Sequence, residues 1–167
     1  NGHLGNTLIR LLRKQEADIR GLILAGGEIE DDGRVRYIKG DVRDIESLRP
    51  LFEDLEGKEA YVFHTAGIVD ISEKVSPLLY EVNVNGTKNV IALCREYSVR
   101  RLVYVSSVHA IPDTDSMSVL KEIKEFSPEK VVGGYARTKA EATQAVLAAV
   151  QGGLDAVIVQ PSGIIGP

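Results

Sequence analysis

Apolar positions along the chain follow two rhythms, and the two alternate. Ile19-Arg20-Gly21-Leu22-Ile23-Leu24, Ala60 to Ala66, Arg101 to Ser107 and Ala156 to Gln160 are short, dense apolar runs that read as strands. Val35-Arg36-Tyr37-Ile38-Lys39 is a further short strand, closed by Gly40-Asp41. Between these runs, Ile45 to Leu55, Leu79 to Tyr97 and Gly134 to Gln151 carry apolar residues at helical spacing, and Thr7-Leu8-Ile9-Arg10-Leu11-Leu12 starts an amphipathic helix. Val108 to Gly133 is irregular, with a short helix expected around Val119 to Phe126. Apolar strands alternating with helices predict a parallel sheet covered on both faces, a doubly wound α/β domain.

In such sheets ligands sit beyond the carboxyl ends of the strands. Gly26-Gly27, Ala66-Gly67, Ser106-Ser107 and Pro161-Ser162 all fall at strand ends, so four polar or glycine-bearing ends are expected to converge on one edge. Asn1-Gly2-His3-Leu4-Gly5-Asn6 crowds two glycines at the head of the first helix, where backbone N–H groups approach an anion at the positive end of the helix dipole. A dinucleotide-binding turn needs a strand immediately before it, and none precedes Asn1. The chain also does not begin with Met, so residues upstream of Asn1 are expected. The competing reading of the two glycines is an ordinary turn.

Composition narrows the picture without changing it. The 167 residues are 44% hydrophobic and 26% charged, enough for one domain with a sizeable core. A net charge of −4 leaves no basic excess, which argues against a nucleic-acid partner. Cys94 is the one cysteine; it lies in an apolar helical pattern, reads as a small buried residue and fits a reducing compartment. No apolar run approaches the roughly 18 residues of a membrane span, and no signal-peptide pattern opens the chain, so a soluble cytoplasmic protein is expected. Three scattered histidines without a companion cysteine predict no metal site. Glu28-Ile29-Glu30-Asp31-Asp32 reads as a solvated acidic loop.

One stretch carries candidate chemistry. Tyr135 and Lys139 stand one helical turn apart, on one face of the helix. A phenol beside an ammonium is a proton donor for a carbonyl oxygen, because the positive charge favours the phenolate and lowers the tyrosine pKa. The bland alternative is a surface helix with a tyrosine packed on its edge. Of the histidines, His64 at a strand end reads as a packed residue, the type of His3 in the glycine turn as incidental, and His109 is open between lining a substrate pocket and none.

Together these residues resemble a known family, the extended short-chain dehydrogenase/reductases, also called the NAD-dependent epimerase/dehydratase family. Asn1-Gly2-His3-Leu4-Gly5 looks like the tail of its Gly-x-x-Gly-x-x-Gly turn, Asp41-Val42 its adenine-contacting pair, and Phe63-His64-Thr65-Ala66-Gly67 its strand-end segment over the cofactor. Asn83-Val84-Asn85-Gly86-Thr87 is similar to its Asn-Val-x-Gly-Thr, Ser106-Ser107 to the strand that supplies an active-site hydroxyl, and Tyr135 with Lys139 to its Tyr-x-x-x-Lys pair. Six motifs in family order span essentially the whole chain. His64-Thr65-Ala66-Gly67-Ile68-Val69 and the stretch Gln160 to Pro167 look most like the dihydroflavonol-reductase and hydroxysteroid-dehydrogenase-like branch, since sugar-nucleotide members usually carry an Arg where Gln160 stands.

The resemblance implies an NAD(P)-binding Rossmann domain over residues 1–167, without the family's first strand and C-terminal substrate region. It implies NAD or NADP as cofactor, a small-molecule alcohol or carbonyl substrate, and catalysis by Ser107, Tyr135 and Lys139. Cofactor contacts would come from Gly2, His3, Leu4, Gly5, Asp41, Val42, Thr65, Ala66, Gly67, Asn83, Tyr135, Lys139, Pro161, Ser162 and Ile164. In this scheme Tyr135 moves the hydroxyl proton, Lys139 holds the ribose hydroxyls and lowers the tyrosine pKa, Ser107 bonds the substrate oxygen, and Asn83 supports the helix near Lys139, through water or directly. Leu24 occupies the place where the family often puts the residue that separates NAD from NADP; Glu28 is the nearest acid, either compensating or solvated. The alternatives are a nucleotide-sugar epimerase or dehydratase and a non-catalytic dinucleotide-binding module. Family members often pair through helices equivalent to Leu79–Tyr97 and Gly134–Gln151, so a homodimer is expected.

Overall fold

The computed structural model describes residues 2–27, 33–113, 119 and 121–165. Helix α1 (His3–Leu12) leads to β1 (Ile19–Ile23) and β2 (Val35–Lys39), then to a short α2 (Ile45–Leu48) and β3 (Tyr61–His64). Helices α3 (Pro77–Tyr80) and α4 (Gly86–Glu96) precede β4 (Arg101–Val105), and the long α5 (Gly134–Gln151) precedes β5 (Ala156–Val159). All strand pairs are parallel, in two hydrogen-bonded sets, β1-β2 and β3-β4-β5. The doubly wound α/β reading is therefore correct in kind, with β1 and β3 not bonded to one another.

Local chemistry explains most boundaries. Asp44 accepts a hydrogen bond from Glu46 N to start α2, and Ser76 accepts one from Leu79 N, with Pro77 at the first helical position. The helix expected over Ile45 to Leu55 stops at Leu48 and tightens into a 3₁₀ turn over Arg49–Leu51, because Pro50 has no N–H for an α-helical bond. Helix α1 begins at His3 rather than Thr7, which puts His3, Leu4 and Gly5 in its first turn. The expected helix near Val119 to Phe126 does not form at residues 121–126, and the acidic run with Glu28 lies outside the described residues. The strand ends are shorter than expected: β3 stops at His64 and β4 at Val105, so Thr65, Ala66, Ser106 and Ser107 lie just past the ladder.

The helix expected from Leu79 to Tyr97 is present but widened. Between α3 and α4 the backbone opens into a π turn over Glu81–Asn85, and Asn83 sits inside it. Such turns project side chains that a regular α-helix would aim elsewhere. The main core lies between β3-β4-β5 and helices α4 and α5, with Leu93, Cys94, Leu102, Tyr104 and Val146 fully buried. A close approach tightens it: a Cβ at Gly86 would lie 2.6 Å from Val42 Cγ2, so only glycine lets α4 pack there.

Candidate active site

The carboxyl end of β4 and one face of α5 carry the site. Ser107 caps the 3₁₀ turn Val108–Ala110, its Oγ accepting from His109 N at 3.2 Å. That leaves the hydroxyl proton uncommitted, and the nearness of Ser107 lowers the Tyr135 pKa. Burial outweighs it, however, and the phenol ends above its usual range. Lys139 is not among the causes, so the expectation that it lowers the tyrosine pKa is not met: the ammonium is itself buried, at 5% exposure, and points elsewhere.

Lys139 Nζ donates to Val105 O at 2.9 Å and lies 5.1 Å from the centroid of the Tyr104 ring. Burial pulls its pKa down to about 8, because desolvation disfavours the ammonium. His64, also buried, is pulled down to about 3 by burial and then by the charge of Lys139. It is therefore neutral, and its tautomer follows from its neighbour. Thr87 Oγ1 spends its single proton on Asn83 O at 2.7 Å, so the 3.0 Å contact with His64 is donated by Nε2–H. The packed reading of His64 holds.

Asn83 is the junction of three elements. Its Oδ1 accepts from Ile68 N at 2.8 Å, and its Nδ2 donates to Ile68 O at 2.9 Å and to Thr138 Oγ1 at 3.1 Å. The contact with α5 is direct, one residue before Lys139. Beside it, a Cβ at Gly67 would lie 3.3 Å from Asn83 Oδ1 and 3.4 Å from Lys139 Nζ. The loop that follows Gly67 is also fastened at its far end, where Gly134 N donates to Ser72 O at 3.0 Å. His109 is exposed and meets the Tyr135 ring edge-on, 6.3 Å between centroids.

The candidate cofactor positions divide into two groups. Gly2 caps α1 with no side-chain bond to the first turn, no acid follows in that turn, and nothing lies within 4 Å of a Cβ at Gly2. His3, Leu4 and Gly5 thus present uncapped N–H groups at a helix N-terminus, which suits a pyrophosphate. Gly5 reaches the end of β3, where its Cβ would meet Thr65 Oγ1 at 3.2 Å, so the first turn of α1 and the Thr65-Ala66-Gly67 segment share one wall. Val108 N donates to Pro161 O at 3.1 Å, which ties the β4 end to the loop of Pro161, exposed Ser162 and half-exposed Ile164. These positions fit a dinucleotide.

Asp41 and Val42 stand apart, beyond β2. The Asp41 carboxylate pairs with Arg43, at 2.6 Å from Nη2, and that bond holds its pKa below the usual range. The Val42 side chain is buried against Gly86, and its carbonyl accepts from Asn89 Nδ2 at 2.8 Å. Sequence reasoning missed three buried polar residues of the site, Thr138, Thr143 and Tyr104. Thr138 follows Tyr135 by three residues and Thr143 follows Lys139 by four, and that helical spacing was the available signal.

Comparison with known proteins bears on the family and the fold. The family described as "3-beta hydroxysteroid dehydrogenase/isomerase family" matches residues 1–167. A putative dihydroflavonol 4-reductase of Synechocystis is 33% identical over 168 residues, covering 99% of this chain and 48% of the relative. Sterol demethylase protein B of Methylococcus capsulatus is 34% identical, covering 99% and 50%. The UDP-glucose 4-epimerase of Thermus thermophilus, solved with NAD, superposes with a TM-score of 0.74 at 25% identity, over 95% of this chain and 51% of that one. The chain thus spans about half the length of the relatives it matches.

Proposed function

The chain belongs to the 3-beta hydroxysteroid dehydrogenase/isomerase family, within the extended short-chain dehydrogenase/reductases, and from that membership we propose that it is the NAD(P)-binding Rossmann domain of an oxidoreductase acting on an alcohol or carbonyl carbon. The observation that supports this most is the placing of Ser107, Tyr135 and a buried Lys139 together at the end of β4, where Lys139 Nζ sits on Val105 O and Ser107 lies close enough to Tyr135 to lower its pKa. A bound nicotinamide supplies or accepts the hydride. Tyr135 Oη gives its proton to the substrate oxygen in reduction and takes it back in oxidation. Ser107 Oγ, which accepts from His109 N and keeps its own proton to give, donates to the same oxygen as charge develops on it. Lys139 has protons to spare beyond the one on Val105 O, and these are the donors for ribose hydroxyls.

Two finer readings accompany the proposal. The seam of α4 and α5, where Lys88 Nζ lies 3.7 Å from Glu141 Oε1, is the expected self-association surface of a homodimer. The buried thiol of Cys94, with its pKa pushed up to about 12, suits a reducing cytoplasmic compartment. Among the described residues no helix is long and apolar enough to cross a membrane. The alternative activity, a nucleotide-sugar epimerase or dehydratase, draws on the likeness to the Thermus enzyme; Gln160, where sugar-nucleotide members usually carry Arg, favours the simple oxidoreductase.

The test is to measure NADH and NADPH binding to the full-length protein, then turnover on alcohols, ketones and sugar nucleotides, for wild type and Tyr135→Phe. The variant is expected to bind cofactor like wild type and to lose turnover by roughly 10²-fold or more. Undiminished turnover in Tyr135→Phe, or no binding of either nucleotide by wild type, rejects the proposal.

A further inference from the structure

Two hydroxyls lie in the core where the mechanism above gives them no task. Thr143 is fully buried on α5 and Ser106 is 2% exposed just past β4. Their oxygens are 2.7 Å apart, and Thr143 Oγ1 also lies 2.7 Å from Lys139 O. A carbonyl can only accept, so the Thr143 proton goes to Lys139 O, and Ser106 Oγ–H must be the donor to Thr143. The direction of the relay is therefore fixed: Ser106 to Thr143 to the Lys139 carbonyl.

This arrangement has a cost that packing alone does not require. A threonine bonding back to the carbonyl four residues earlier slightly destabilises and bends a helix. Two buried hydroxyls must each be satisfied, whereas Val or Ala, which line the same core at Val146 and Ala142, need no partner. What the pair does achieve is a second grip on one residue. Val105 O accepts from Lys139 Nζ, and the next residue, Ser106, holds the Lys139 backbone through Thr143. Ser106 N is itself fastened to Val159 O at 2.8 Å, so the gripping peptide is anchored in the sheet. Tyr135, Lys139 and Thr143 follow at i, i+4 and i+8; Lys139 and Thr143 bond to the consecutive residues Val105 and Ser106, and Tyr135 lies near the next, Ser107.

We propose that Ser106 and Thr143 are positioning residues for Lys139: their hydrogen-bond relay sets the height of α5 against the end of β4, and thereby keeps the ammonium on Val105 O. The functional meaning of that placement rests on the reading of Lys139 given above; the linkage itself does not. The titratable groups that face the ammonium are His64 on β3 and Tyr104 on β4, while Tyr135 lies one turn earlier on its own helix. Desolvation is what lowers its pKa, and the bond to Val105 O, which favours the charged form, is the contact that a displaced helix would change.

The experiment is an NMR titration of the full-length protein labelled with ¹³C at lysine Cε, with Lys139→Arg to identify the signal. Wild type is expected to show Lys139 titrating at about 8. In Thr143→Val and in Ser106→Ala the midpoint falls by roughly half a unit to two units, because a carbonyl that stabilised the charged form is lost. Thr143→Ser, which keeps the hydroxyl, stays with wild type. The double variant shifts no further than either single one, since both break one relay. An unchanged Lys139 midpoint in Ser106→Ala overturns the proposal, as does a shift in Thr143→Ser equal to that in Thr143→Val; Ser106→Ala decides alone if the valine variant does not fold. Binding of NADH by the same wild-type sample is measured in parallel. Its absence would remove the oxidoreductase reading and leave the linkage to be judged on the titration.

Discussion

Lys139→Met is expected to make the protein more stable below about pH 8, and to lose that advantage as pH rises from 8 to 10.5. The folded-state pKa is depressed from 10.5 to about 8, with burial as the cause. Below pH 8 both folded and unfolded states hold the proton, and the folded state carries the whole cost of the buried charge. Between about 8 and 10.5 the folded state sheds the proton first, the unfolded state binds more protons, and stability climbs with pH. Above 10.5 the cost has gone. The interval corresponds to ~3 kcal/mol, from which about 1 kcal/mol is lost again because Val105 O loses its donor. A net gain of ~2 kcal/mol for a chain of this size raises Tm by roughly 4–8 °C. Urea or thermal denaturation of both proteins at pH 6.5 and 10 measures it. Tyr104 and Tyr135, whose pKa values are raised by burial, lose stability as pH rises past 10, but they do so in both proteins and cancel in the difference. The variant should lead at pH 6.5 and the gap should narrow at pH 10. A gap independent of pH, or a variant that is less stable at both, refutes the reasoning.

Two further perturbations probe the loop between β3 and α3. Gly134→Ala puts a Cβ 2.4 Å from Lys74 O and 2.7 Å from its carbonyl carbon, so backbone must move and the bond to Ser72 O is strained; overpacking and the weakened bond together cost ~2–4 kcal/mol, read as a lower urea midpoint, while Gly163→Ala, with nothing within 4 Å, leaves it unchanged. Asn83→Leu strands Ile68 N–H and C=O and the Thr138 contact, costing ~3 kcal/mol or more; amide exchange at Ile68 should accelerate well beyond that of β3, and equal protection in variant and wild type would count against Asn83 as the fastener.

The sequence made the regular elements legible and the exceptions illegible, for physical reasons. Helix α5 runs over Gly134–Gln151 as its periodicity predicts, since Gly133 at φ +96° and Gly153 at φ +95° punctuate it where other residues would be strained. Strand β2 also matches, bounded by Gly33 and Gly40. The π turn over Glu81–Asn85 was invisible, because its one extra residue per turn leaves the apolar pattern on either side intact. Tyr135 and Lys139 were visible as a pair, whereas their electrostatics were not. Spacing places two side chains on one face, but the sign of a pKa shift depends on burial, and Tyr135 is raised because desolvation exceeds the help from Ser107.

Burial also explains why so many polar groups gather in this one seam. His64, Thr87 and Asn83 form one chain of donors, and Ser106, Thr143 and the Lys139 carbonyl another. The Tyr104 hydroxyl lies beside Thr87 and Ser106, one from each chain: both lower its pKa, though neither meets it in good hydrogen-bond geometry, and burial still raises it overall. Each hydroxyl in the two chains donates to a neighbour that can only accept or has spent its proton, so the polarity of both is fixed. A core built only for stability would fill these places with apolar side chains. Holding a charged lysine in the same core needs the opposite: neighbours that stay neutral and do not compete for its proton. His64, held near pKa 3 with Nε2–H committed to Thr87, meets that condition well above pH 3. The polar seam is thus the structural counterpart of the buried Lys139 ammonium, and the stability that Lys139→Met should recover is the part of that cost the fold leaves uncompensated.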